Sequence, residues 1–205
     1  MPKLFIVFLA VVSIFILPKH SWSAVDPWVE SYRLEALGQY ESAAESLDKL
    51  IKVNPRHEFA ILRHGWLNYL HGAHNEALRD YQRALEINPE SLDARLGLML
   101  PLIAQQRWRE VASHANKVLE VAPWNYYAHI RLMMSEEGER KWQTLAKHAK
   151  TVSQRYPSDA SALVYLARAN IWLKNDKAAR HAYEQVLERV PGHIEARQFL
   201  IGSAS

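Results

Sequence analysis

Three histidines, His64, His71 and His74, stand seven and three residues apart in the stretch "HGWLNYLHGAH". Imidazoles so spaced can approach one another along a helix and its following turn, and could ligate a transition metal. The chain holds ten histidines, its one compositional excess. A functional metal site normally shows a fuller ligand set with supporting partners behind it, and no such set accompanies these three. No metal and no cofactor is therefore expected. Other reactive chemistry is scarcer still: there is no Gly-rich phosphate loop, no serine elbow, and no cysteine to act as nucleophile. Charged residues such as Glu45, Lys49 and Lys52 decorate helix surfaces, where they serve solubility. The expectation is a protein that is not an enzyme.

The N-terminal stretch "MPKLFIVFLAVVSIFILPKHSWSA" has one early lysine, an apolar run from Leu4 to Leu17, a break at Pro18 and then small residues. That order is a secretory-signal pattern, and the run is short of the roughly 20 residues a helical span takes. Cleavage after Ser23 places Ser21 and Ser23 at the small-residue positions, and an uncleaved anchor is the alternative. An exported chain, periplasmic if bacterial, is expected, with no membrane insertion of its mature part. Without cysteine it has no disulfide to lean on in an oxidising compartment, so stability must come from packing. Removing residues 1–23 takes away Lys3 and Lys19 and no acid, so the formal charge of +3 falls by two. So small an excess argues for neither nucleic acid nor an anionic membrane as partner.

The organisation that must position any site is read from the prolines. Pro55, Pro89, Pro123, Pro157 and Pro191 are each 34 residues apart without an insertion or deletion. Stacked at this period, the chain divides into residues 24–57, 58–91, 92–125, 126–159 and 160–193, followed by "IEARQFLIGSAS" over 194–205. The second half of each unit places three small or apolar residues on one helix face, as with Ala77, Tyr81 and Ala84, or Val111, Ala115 and Val118. The proline then ends that helix. No stretch alternates with period two, so an all-α chain of five helix-turn-helix units is expected, with the tail as a short capping helix. One pair cannot bury its own apolar stripe and must stack on the next.

The segment "HGAHNEALRDYQRALEINP" resembles the tetratricopeptide repeat (TPR), through Gly72, His74, Ala77, Tyr81, Ala84 and Pro89. "LGQYESAAESLDKLIKVNP" and "NDKAARHAYEQVLERVP" fit nearly as well, and the resemblance covers practically all of the mature chain. It implies a right-handed superhelix in which the first helix of each pair lines a concave face and the second a convex one. It also accounts for His74 and His64 as packing residues. Three departures fall in the middle: Pro101 within a first helix, Met99 and Met133 where the family has a small residue, and in repeat 4 Glu136 at a usually apolar position with Gly138 two residues early. A bend or looser packing there, and a shortened first helix in repeat 4, are the expectations.

By the family's pattern, the residues facing the concavity are Trp28 and Tyr32; Phe59, Arg63, Trp66 and Tyr69; Tyr127, Ile130, Arg131 and Met134; and Tyr165, Arg168 and Trp172. Tryptophan, tyrosine and arginine combine a large contact area with a polar or charged handle, and they most often anchor binding. A groove lined this way suits a peptide, with its centre expected at Arg63, Trp66 and Tyr69 and a second contact at Arg131. The lysine and asparagine with which some TPR modules clamp a chaperone's acidic C-terminus are replaced by Trp28 and Tyr32, which speaks against that activity. The expected function is that of a periplasmic adaptor or scaffold, holding a protein segment and supporting an envelope complex. The alternative is a carbohydrate-binding component of a polysaccharide export system, since rings stack on sugars as they do on peptides. A homo-oligomer is compatible with either.

Overall fold

The computed structural model describes residues 26–202, so the expected signal segment 1–23 and the end of the tail lie outside the described residues. Among the described residues there are eleven helices and no strand. They run α1 (Pro27–Ala36), α2 (Tyr40–Val53), α3 (Glu58–His71), α4 (His74–Ile87), α5 (Leu92–Ala104), α6 (Trp108–Val121), α7 (Tyr126–Gly138), α8 (Trp142–Arg155), α9 (Ser161–Trp172), α10 (Asp176–Arg189) and α11 (Ile194–Gly202). Each odd helix packs on the even helix after it, each even helix packs on the next pair, and α3, α5, α7 and α9 touch in succession.

Local chemistry repeats with the period. Odd helices begin at side-chain caps: Asp26, His57, Ser91 and Asn125 accept from the backbone N–H of Trp28, Ala60, Ala94 and Ala128, and Asp159 accepts from Ser161. Such a cap satisfies an N–H that the first helical turn leaves without a partner. Every even helix ends two residues short of its proline, at Val53, Ile87, Val121, Arg155 and Arg189.

The turn inside each pair needs one residue in the left-handed region. Gly38, Gly72, Gln106, Arg140 and Lys174 occupy it with φ from 55° to 87°. Glycine adopts this conformation freely, whereas an L side chain meets a cost of about 1–2 kcal/mol. In repeat 4 the turn is therefore made by Arg140, and Gly138 has a different purpose. A Cβ at Gly138 would stand 2.4 Å from the Trp108 ring.

The departures in the middle of the chain do not loosen it. Helix α7 has 13 residues, as many as α5 and one more than α9, so the expected shortening is absent. The reason is that Glu136 is buried with a partner: its carboxylate lies 2.9 Å from His148 Nδ1, and His148 Nε2 lies 2.9 Å from His129 Nδ1. The far side of His129 donates to the Pro123 carbonyl. A polar ladder thus replaces apolar contact between α7 and α8, with its donors and acceptors met. Met99 and Met133 are fully buried, so their bulk is absorbed into the core. Helix α5 continues through Pro101 to Ala104.

The stacking is closest around Tyr81. Its ring passes between two neighbouring odd helices over Gly65 and Gly97, where a Cβ would lie 3.1 Å from Asp80 Cβ and 2.1 Å from the Tyr81 ring respectively. At the far end, α11 covers α10: Ala196 is fully buried and the Phe199 ring centroid lies 5.1 Å from that of Tyr183. Gly97→Ala should lower stability by about 1–3 kcal/mol by overpacking against Tyr81. Adding Tyr81→Leu should then recover part of the loss, measured by urea unfolding. Additive losses would show that the two sites do not meet.

Candidate functional site

Successive odd helices place one row of side chains side by side. A cavity of about 380 Å³ spans α1, α3, α5 and α7, lined by Tyr32, Phe59, Leu62, Arg63, Trp66, Tyr81, Asp93, Gly97, Leu100 and Arg131. Five of the sequence-predicted residues meet here: Tyr32, Phe59, Arg63, Trp66 and Arg131. Large rings stand exposed around it, Tyr32 at 52%, Phe59 at 54% and Tyr127 at 61%. Tyr81 reaches the floor from the even helix α4, which Gly97 permits by presenting no Cβ to its ring.

The remaining predicted residues take neighbouring places. Trp28 stacks on Phe59, with centroids 5.1 Å apart and planes 25° apart, extending the apolar surface at the α1 end. Tyr69 lies between Trp66 and His74, at 5.9 and 5.7 Å between centroids. Ile130 packs into the core beneath α7 with Tyr165, and Met134 is half-buried. Trp172 lies flat on Trp142, planes 4° apart and centroids 5.0 Å apart, beyond the cavity.

The three arginines differ in what surrounds them. Arg63 is only 8% exposed; its Nε donates to Ser31 Oγ at 2.8 Å and its Nη2 to Glu35 at 2.9 Å, while the guanidinium lies 3.4 Å from the Tyr32 ring centroid. The same Glu35 accepts from Trp66 Nε1 at 2.7 Å. This cluster ties α1 to α3, and it holds the Trp66 indole in place at the cavity wall. Arg168 donates with Nε and Nη2 to both oxygens of Glu195, at 2.8 and 2.7 Å, and stands within 3.4 Å of Glu137. Its hydrogen bonds and charge partners raise its pKa, and burial pushes the adjoining Tyr165 hydroxyl up to about 12. Arg131 has no carboxylate partner among the described residues; it donates to the Leu96 carbonyl and lies 5.9 Å from the Tyr127 ring centroid.

Of the three histidines that could have bound metal, His64 is engaged by a carboxylate, His71 Nε2 stands 3.9 Å from Glu41, and His74 Nδ1 is buried without a hydrogen-bond partner among the described residues. His64 Nδ1 is 2.8 Å from Asp80, which also accepts from Asn68 at 2.8 Å. Among the described residues no group of three metal-ligating side chains is assembled. A larger cavity, about 690 Å³, lies between α8, α9 and α10, lined by Lys147, Lys150, His181 and Gln185 among others. It offers no aromatic surface, and its lysines are exposed.

Glu35 and Tyr81 were not read as site residues from sequence. Glu35 lies 28 residues before Arg63, on the preceding odd helix, and Tyr81 stands at a position that the repeat reserves for packing. The pair Gly65 and Gly97 is the sequence signal for Tyr81, since small residues on facing helices admit a ring between them.

An all-helical stack of paired helices with an aromatic groove along its odd helices is a helical-repeat scaffold. Models of the tetratricopeptide repeat match residues 30–91 and 161–193. The chain is a tetratricopeptide repeat protein, and residues between the matched segments build the same helix pairs. Solved structures share the fold. MamA from Desulfovibrio magneticus RS-1 superposes with a TM-score of 0.73 at 16% identity, covering 80% of this chain and 93% of that one. YrrB, described as a TPR protein with an unusual peptide-binding site, gives 0.70 at 16%, covering 85% and 90%. PilW, described as a widely conserved type IV pilus biogenesis factor, gives 0.71 at 18%, covering 80% and 76%. No curated protein sequence matches the chain. No described helix is long and apolar enough to cross a membrane.

His64 yields a prediction of pH dependence. Burial lowers its pKa, but the hydrogen bond and charge of Asp80, with Asp48 adding and Arg83 opposing, leave it raised. A raised folded pKa gives stability that is fully present below the unfolded value of about 6.5 and is lost as pH rises through the folded value. Between about pH 6 and pH 8 the urea midpoint should therefore fall more steeply in the wild-type protein than in His64→Gln. Parallel curves would contradict the Asp80 pairing.

Proposed function

We propose that the protein is a non-enzymatic adaptor of the cell envelope that docks a segment of another protein along the groove of its odd helices. The observation that carries this reading is the cavity shared by α1, α3, α5 and α7, where exposed Tyr32 and Phe59 stand beside Trp66, whose indole is already oriented by Glu35. Rings held in position lose little conformational freedom on binding, which favours them as anchors. The periplasm is proposed from the leader pattern of residues 1–23. A peptide-binding site in YrrB and pilus biogenesis by PilW show that the fold serves such tasks in other proteins, and support an assembly role here.

Capture of a partner from envelope extract tests this. Trp66→Ala and Phe59→Ala should each weaken capture about thirty-fold or more, the usual effect of removing a central anchor. Lys49→Ala and Glu86→Ala, exposed on α2 and α4, should leave it unchanged. Release by the second pair and retention by the first would place the binding surface on the even helices.

A further inference from the structure

Arg63 and Arg168 face carboxylates of their own chain, and Arg131 faces none among the described residues. An arginine remains a cation at any working pH. Drawing a guanidinium partly out of water is costly unless an anion and hydrogen-bond acceptors replace the lost hydration. Burial lowers the Arg131 pKa, with Tyr81, Tyr69 and Tyr127 acting in the opposite sense. Its surroundings are thus three phenols. Asp93 lines the same cavity but is exposed and forms no ion pair with it.

The hydrogen-bond inventory agrees with the charge. Of the guanidinium's donors, only Nη1 has an acceptor among the described residues, the Leu96 carbonyl. The hydroxyls of Tyr69, Tyr81 and Tyr127 have no hydrogen-bond partner among the described residues, and Tyr81 shares the cavity with Arg131. Two groups with donors that lack acceptors, the Arg131 guanidinium and the Tyr81 hydroxyl, therefore line one open space, beside the apolar wall formed by Phe59, Leu62 and Trp66. A carboxylate fits this arrangement, because it brings a negative charge and two acceptor oxygens and no donor of its own.

The occupant's position along its own chain follows from what lies to either side. Rings continue past Arg131 toward α1, with Phe59, Tyr32 and Trp28, and at the other end with the exposed Tyr127 on α7. A chain terminus seated at Arg131 would leave one of these arms uncovered.

Resting on the groove reading above, we propose that the ligand is an extended protein segment with an internal aspartate or glutamate, whose carboxylate is received by Arg131 beside the Tyr81 hydroxyl while apolar side chains on both sides cover the flanking rings. The two Glu35-bound groups, Arg63 and Trp66, shape the wall, and Arg131 supplies the charge that selects.

The test uses the full chain and pools of N-acetylated, C-amidated decapeptides, randomised except for a central Glu, Gln or Lys, with affinity read by fluorescence anisotropy. The Glu pool should bind about tenfold or more tighter than the Gln pool, the range expected for hydrogen bonds to a charged group. Arg131→Gln should abolish that difference, Arg131→Glu should favour the Lys pool, and raising salt to about 0.5 M should shrink the preference in the unaltered protein. The salt and pool comparisons need no variant, so they decide the matter even where a substitution harms folding. Equal binding of Glu and Gln pools that Trp66→Ala releases would overturn the acidic selection and leave the groove standing. Binding of no pool, with retention of a polyuronate instead, would overturn both in favour of an acidic polysaccharide. A Gln pool with a free C-terminal carboxylate that gains the same tenfold through Arg131 would reassign the site to a chain terminus.

Discussion

A pair of short helices cannot bury its apolar stripe alone, so each pair must lie on the next in one fixed register. That constraint accounts for the absence of any insertion between Pro55 and Pro191. It also explains why turn residues as different as Gly72, Gln106 and Arg140 adopt the same left-handed conformation. The cost of placing a side chain there is local and small, whereas a shifted register would misplace a whole interface. Stacking at this pitch aligns α1, α3, α5 and α7, and the groove is the surface that remains when the even helices have covered the other side.

Charge then divides the groove. Arg63 with Glu35, and Arg168 with Glu137 and Glu195, are closed clusters that join neighbouring helices and hold Trp66 and α11 in place. Between them Arg131 is held by a carbonyl and surrounded by tyrosines. The same residue type therefore has two uses in one row. An arginine with a carboxylate stiffens the scaffold, and one without it leaves the scaffold prepared for an anion. Stiffness matters to recognition because rings already in place have little left to lose on binding.

The repeat period, the helix ends and the capping role of α11 were legible in the sequence, because each depends on residues close together or on a regular spacing. Of the odd-helix residues expected to face the groove, Tyr32, Phe59, Arg63, Trp66 and Arg131 line one cavity, while Ile130 and Tyr165 pack against the core and Trp172 lies on Trp142. Which arginine is satisfied was not legible. It depends on Glu35 reaching Arg63 from the previous repeat and Glu195 reaching Arg168 from the next, choices made by rotamer and distance. Glu136 was read as a disturbance to α7 for a related reason, since its partner His148 lies on the following helix. Tyr81 was hidden because it belongs to the packing of α4 and reaches the groove only through the space left at Gly97.

Hydrogen–deuterium exchange on the complex with a captured partner reports directly which helices the ligand covers. The expected result is slowed exchange over 58–71 and 126–138, the segments that carry Trp66 and Arg131, with α4, α8 and α10 unchanged. Protection confined to α8 and α10, around the cavity lined by Lys147, Lys150 and His181, with none over 58–71, would contradict recognition through the odd-helix groove.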